Sequence, residues 1–246
     1  MQQRSGPARL LDMVQGRSKQ VFKSWLQERD RACPAGVQIV AMGGFTGFKT
    51  AAVGELPHAV EVMDPFHVVK LAGTALEKAW QRIQHETLGW RGRSKDPLYR
   101  ARKTLLTGEE LLSERGKGQL ESLFADPGHQ VVQATWKVYQ RLVAAYRAPS
   151  PWEGKERLWD FIHDLAKTLP KDMIEVRSVA TTLKKRASDI LAYFDHMGSS
   201  NGPTEALNGR LEHLRGIALG FRNLTHYIAR SLLEAGGFRP GLHPEL

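Results

Sequence analysis

Two carboxylates stand where packing offers no reason for an acid. Asp64 closes the run AVEVMD at 59–64, which reads as a short strand, and ligand sites in α/β folds gather at strand carboxyl ends. Glu205 falls in the first turn of a helix introduced by Ser200, Asn201, Gly202 and Pro203. On that helix Glu205, Asn208, Glu212 and Arg215 make one polar stripe, with Leu207, Leu211 and Leu214 on the opposite face. An acid in a first turn also complements the helix dipole, and spacing alone favours that role for Glu205.

Other reactive residue types give less. Gly43-Gly44-Phe45-Thr46-Gly47-Phe48-Lys49-Thr50 approaches a phosphate loop, but Phe48 separates Gly47 from Lys49 where the motif needs Gly-Lys-Ser/Thr in sequence. The following AAVGELP is a poor helix, so no helix dipole is expected to face a phosphate, and a tight turn into a second strand is the better reading. The nine histidines show no H-E-x-x-H pattern, and no G-x-S-x-G elbow supports a nucleophilic serine. His67, three residues after Asp64, reads as a local hydrogen bonder. Cys33 is the single cysteine, which excludes an internal disulfide and a thiolate zinc site and fits a reducing compartment.

Charge points to a partner. Thirty-five Lys and Arg against 26 Asp and Glu leave a net charge of +9 in 246 residues, a balance suited to nucleic acid. The excess is concentrated between Arg82 and Lys103, where Arg82, Arg91, Arg93, Lys95, Arg100, Arg102 and Lys103 face only Glu86 and Asp96. Trp90 and Tyr99 lie inside this stretch and could stack on bases. A solvated basic loop without a ligand is the competing reading.

The elements that must position these groups follow from periodicity. Residues 1–16 read as a frayed start, and Ser18 caps a short helix with Val21, Phe22, Trp25 and Leu26 on one face. VQIVAM at 37–42 and AVEVMD suggest a small sheet with antiparallel neighbours. Pro65 opens a long helix with Val68, Val69, Leu71, Ala72, Ala75, Leu76 and Ala79 as its apolar face. Beyond the basic loop, helices are expected at 108–112, 117–124, 131–146, 155–169 and 174–193, then from Pro203 and over 224–233. The layout is an α/β domain with a helical insertion. No stretch has the roughly 20 apolar residues of a membrane span, and no signal peptide is read at the start, so a soluble, cytoplasmic protein is expected.

The strings AMGGFTGFKTAAVGELPHAVEVMDPFHVVKLAG, GRSKDPLYRARKTL and SNGPTEALNGRLEHLRGIALGFRNLTHYIARSLLEAGGF resemble the DDE transposases of bacterial insertion sequences, the ISL3 family above all. The likeness extends over nearly the whole chain. It implies a ribonuclease-H-like α/β fold with a large α-helical insertion between the second and third acidic positions. On this resemblance, residues 1–36 form a helical lead-in and 37–246 the catalytic domain, with the insertion at about 82–195. It implies DNA as partner, a possible homo-oligomer, and magnesium or manganese ions held by three acids for strand cleavage and transfer.

The second acid matches Asp64 in MDPFHVV and the third Glu205 in SNGPTEALNGRLE. The first is expected where the family pattern reads AMDGFTGFKT, and there this chain has Gly43. Glycine cannot ligate a metal, so the implied triad is incomplete. The family's cysteine-rich zinc segment and helix-turn-helix have no counterpart here, so a truncated, catalytically impaired copy is expected. A non-enzymatic fragment that interferes by docking on DNA or on intact transposase is the alternative. The concentration of charge makes Arg91, Arg93, Lys95, Arg100, Arg102 and Lys103 the expected DNA contacts.

Overall fold

Capping side chains set six of the described α-helix starts in a computed structural model of the chain, which describes residues 8–44, 46–90, 92–170 and 172–237. Ser18 accepts from Val21 N–H and begins α1 (Lys19–Gln27). A single turn, α2 (Ala32–Ala35), leads to β1 (Ile39–Met42), α3 (Thr46–Glu55) and β2 (Val60–Met63). The described elements that follow are helices: α4 (Pro65–Leu88), α5 (Pro97–Leu105), α6 (Glu114–Phe124), α7 (Gln130–Tyr146), α8 (Pro151–Thr168), α9 (Ile174–Lys185), α10 (Ala187–Asp195), α11 (Gly202–Ile217) and α12 (Leu224–Ala235), with two short 3-10 turns among them.

The chain divides into two compact units, Met1–Glu61 with Ser200–Leu246, and Val62–Ser199. In the first unit, α3 stands where a second strand is expected from sequence. Val53 and Gly54 make it a weak helix by propensity. Packing overrides that: Ala51 and Ala52 are buried, α1 lies against α3, and Phe22 meets Phe48 edge-on at 5.6 Å. Gly47 and Lys49 therefore lie within a helix, and Lys49 pairs with Glu61 at 3.6 Å.

The sheet has two strands, β1 beside β2. Val60 N–H donates to the Gln38 carbonyl at 2.8 Å. These residues stand at the starts of the two strands, so the strands run parallel, not antiparallel as expected. The intervening α3 makes the crossover that parallel pairing requires. The described part of the N-terminus is tied down, not frayed: Asp12 accepts from Trp25 Nε1 at 2.8 Å and Arg29 at 2.7 Å, and Leu10 N–H bonds to the Ala235 carbonyl. These bonds hold the Asp12 carboxyl below the usual carboxylate range, the Trp25 bond most of all. In the hairpin of α11 and α12, Leu211 and Ala235 are buried, and Phe221 meets Tyr227 at 5.0 Å.

In the second unit α4 is the central helix, packed against α7 and α9, while α8 lies on α7, α9 and α10. Val68, Ala72, Leu76, Leu98, Leu105, Leu142, Leu158, Phe161, Leu183 and Ile190 form its core. Gly154 marks a close approach in this bundle: a β-carbon there would lie 2.5 Å from the Phe194 ring and 2.6 Å from the Ala145 carbonyl oxygen. Three expectations shift here. The 108–112 helix is a single 3-10 turn, Glu109–Leu111. The 155–169 helix starts earlier, at Pro151, because Ser150 caps it. The 174–193 helix breaks at Arg186, which is buried in an ion pair with Asp189.

Candidate catalytic acids and nucleic-acid interface

Asp64 is the N-cap of α4. Its Oδ1 accepts from the backbone N–H of Phe66 at 2.8 Å and of His67 at 3.4 Å, and Pro65 fills the first helical position. The side chain is only 4% exposed. Tyr146 lies in the same electrostatic neighbourhood; burial pushes its phenol well above the ordinary range, with Tyr193 and then Asp64 adding to the rise. The Tyr146 hydroxyl is buried without a hydrogen-bond partner.

Glu205 is exposed in the first turn of α11, where its backbone N–H bonds to the Asn201 carbonyl. The polar stripe holds: Asn208, Glu212 and Arg215 are also exposed, and Glu212 pairs with Arg215 at 3.7 Å. Leu211 is buried, with Leu207 and Leu214 half-buried beside it. Gly43 is half-buried and directly follows the carboxyl end of β1. Asp64 belongs to the unit Val62–Ser199, and Gly43 and Glu205 to the other. Among the described residues no group of three His, Cys, Asp or Glu side chains comes together to hold a metal ion.

The basic stretch is less loop and less uniform than its composition implies. Arg82 is still in α4 and spends its charge internally. Its Nε and Nη2 donate to the two Glu175 carboxylate oxygens at 2.8 and 3.1 Å, Nη1 reaches Glu86 at 3.1 Å, and Nη2 also bonds the Asp172 carbonyl. Those bonds raise its pKa further and lower that of Glu175. Pro97–Leu105 is helix α5, capped by Asp96, so the connecting segment is only 89–96. Arg102 lies 4.1 Å from the centre of the Tyr99 ring and bonds the Tyr99 carbonyl, so one stacking face of Tyr99 is already covered. Arg93, Lys95, Arg100 and Lys103 are exposed, and Arg91 lies outside the described residues.

What fastens the 89–96 segment is not legible in the sequence. Asp96 uses Oδ1 to cap α5, accepting from Leu98 N–H at 2.7 Å and Tyr99 N–H at 3.3 Å. Its Oδ2 accepts from Gln84 Nε2 at 3.0 Å, and Gln84 is 2% exposed on α4. Gly89 ends α4 in the left-handed region at φ 76°, which turns the chain into the segment. The result is a pinned turn whose one acid is consumed internally while Arg93 and Lys95 face solvent. A second cationic face escapes the sequence reading as well. Arg177, Lys184 and Lys185 on α9 line a cleft of about 430 Å³ with Thr181, Ala180 and Leu169. Their i, i+7, i+8 spacing is the signal that marks this face.

The ISL3 type of DDE transposase, described as "Transposase", matches residues 1–231 of this chain. The chain belongs to the ISL3 transposase family. It is 30% identical over 217 residues to the transposase for insertion sequence element IS1557 of Mycobacterium tuberculosis, in both strain CDC 1551 / Oshkosh and strain ATCC 25618 / H37Rv. That alignment covers 77% of this chain and 47% of each relative. The chain thus spans about half the length of the curated relatives it matches. No solved structure matches it. No described helix is long and apolar enough to cross a membrane.

Divalent metal is general in this transposase family, and among the described residues of either unit no three His, Cys, Asp or Glu side chains gather to hold it. Asp64 Oδ1 is shared by two amides, Glu205 is exposed, and Gly43 has no side-chain donor.

Proposed function

We propose that this chain is the DNA-engaging part of an ISL3-type transposase with a ribonuclease-H-like fold, impaired in metal-dependent strand cleavage. The observation that carries the DNA half is the fastened segment at 89–96: Asp96 is tied to Gln84 and to α5, and Arg93, Lys95, Arg100 and Lys103 remain exposed. Cations on a backbone held this way displace condensed counterions from a phosphate backbone with only their own side chains left to order. The impairment rests on Gly43, which stands where the family pattern calls for an acid. Asp64 and Glu205 are the remaining acids proposed for magnesium or manganese.

Two assays on the full chain test this reading. In filter binding to duplex DNA, affinity is expected to fall steeply with salt. Replacing Arg93, Lys95, Arg100 and Lys103 by Gln should flatten that slope by up to about 0.9 for each phosphate no longer neutralised. In a magnesium-dependent nicking assay no cleavage is expected. Gly43→Asp should then make the melting temperature rise with added manganese, as ligand binding to the folded state requires. Robust nicking by the unmodified chain, abolished by Asp64→Asn, would overturn the impairment. An unchanged salt slope would move the DNA footprint elsewhere, with the α9 face the next surface to test.

A further inference from the structure

We propose that the cleft beside the 89–96 segment holds an unstacked nucleobase, so that this surface grips unpaired DNA in preference to the duplex backbone. The inference rests on the DNA reading above. The cleft has a volume of about 720 Å³, within the roughly 300–1,000 Å³ of sites that enclose small ligands. Leu88, Trp90 and Leu98 supply apolar and aromatic lining, Arg93 and Lys95 supply cations, and His129 supplies a polar group.

The side chains divide the labour in the way a nucleotide demands. Trp90 is 55% exposed yet lines a concavity, so its indole is available to a flat ligand. Arg93 lies 5.8 Å from the Trp90 ring centre, near the outer limit of a cation–π contact, close enough to meet the phosphate of a base stacked there. Duplex DNA presents charge without exposed base faces, so it can use the cations but not the indole. An unpaired strand can use both.

The floor of the cleft is rigid. Asp96, a lining residue, is held by Gln84 and by the first turn of α5. At the far wall Asp126 caps a short 3-10 turn, accepting from Gly128 N–H at 2.8 Å, and His129 Nδ1 lies 2.8 Å from the Leu123 carbonyl. The lining carboxylates thus have local partners, which lowers their repulsion of an anionic ligand. Two features that stand apart in the sequence, Trp90 and the His129 turn, are brought to one site by the packing of α4 against the 3-10 turn at Pro127–His129.

The test uses fluorescence anisotropy with the full chain and three probes: a short oligothymidylate, an abasic strand of equal length, and a blunt duplex. The thymidine strand is expected to bind about tenfold more tightly than the abasic strand, the worth of one base–aromatic stack. Trp90→Ala should erase that preference and leave duplex affinity within about twofold, while Trp90→Phe keeps most of it. Combined Arg93→Gln and Lys95→Gln should weaken all three probes. Equal binding of thymidine and abasic strands by the unmodified chain, with duplex still bound, overturns this inference and leaves the DNA reading standing. Equal loss on duplex and strand in Trp90→Ala also overturns it. Failure to bind any of the three removes both.

Discussion

Gly92→Ala probes the fastening of the cationic segment most directly. A β-carbon at residue 92 would lie 2.1 Å from Gln84 Nε2 and 2.4 Å from Asp96 Oδ2. Both atoms end side chains, so in isolation either could swing away at little cost. Here they are bonded to each other at 3.0 Å, Gln84 is buried, and the other oxygen of Asp96 caps α5. Making room therefore breaks the Gln84–Asp96 bond and leaves a buried amide short of a partner. That loss costs about 1–3 kcal/mol, and the narrower unfolded ensemble of alanine returns about 0.4–1 kcal/mol. The net loss of about 0–2.6 kcal/mol corresponds to a fall in melting temperature of up to about 10 °C for a chain of this size.

The assay is thermal unfolding of a double-mutant cycle with Gln84→Ala. Gln84→Ala removes the nearer of the two atoms that the new methyl strikes and releases Asp96 Oδ2 from its bond, so Gly92→Ala should cost far less in that background, with a coupling of about 0.5–3 kcal/mol. Strictly additive effects would refute the contact, because independent sites do not interact. A raised melting temperature in the single variant would refute the buried bond itself. Thymidine-strand affinity should fall together with stability, since the displaced segment carries Trp90, Arg93 and Lys95.

Three further outcomes follow from the same geometry. Arg82 holds the Glu175 carboxyl below its usual range, so its stabilising effect is complete above the ordinary glutamate pKa of about 4.3 and is lost as pH falls through the lower folded value. Glu175→Gln should flatten the acid limb of melting temperature against pH. Gly154→Ala drives a methyl to within 2.6 Å of the Ala145 carbonyl oxygen, where backbone cannot yield; a destabilisation of about 1–3 kcal/mol is expected in denaturant unfolding. Glu205→Gln should shift the thermal midpoint little, since a first-turn acid contributes about 0.3–1 kcal/mol; a collapse would make Glu205 a structural partner.

Local signals read well where the fold is decided locally, and poorly where distant residues decide it. Ser18 and Pro65 mark helix starts within a few residues, and α1 and α4 begin there. The pair Asp96-Pro97 carries the same signal as Asp64-Pro65, yet the surrounding charge makes a loop the easier reading and hides α5. No local rule gives α3, because Val53 and Gly54 argue against it and the support comes from α1. The break at Arg186 depends on burying an arginine beside Asp189, which is a tertiary event. By composition Arg82 counts with the surface cations, because its partner, Glu175, lies 93 residues along the chain. The composition of the basic stretch is visible in the sequence; which of its charges remain available is not.

The two Asp-Pro pairs sharpen what can be asked of Asp64. Asp96 shows that an aspartate before proline has a complete structural role as a cap, with its Oδ1 on two backbone amides. Asp64 makes the same pattern with Phe66 and His67. An acid at this position is therefore no sign of catalysis by itself, and removing it outright would confound loss of the cap with loss of a ligand. Asn separates the two, since it caps helices about as well as Asp while carrying no charge. Asp64→Asn is expected to keep stability within about 1 kcal/mol, whereas Asp64→Ala should lose about 0.5–2 kcal/mol with the cap. If Gly43→Asp confers a manganese-dependent rise in melting temperature, adding Asp64→Asn should remove it while the metal-free midpoint holds. Persistence of the rise in the double variant would assign Asp64 to the helix alone.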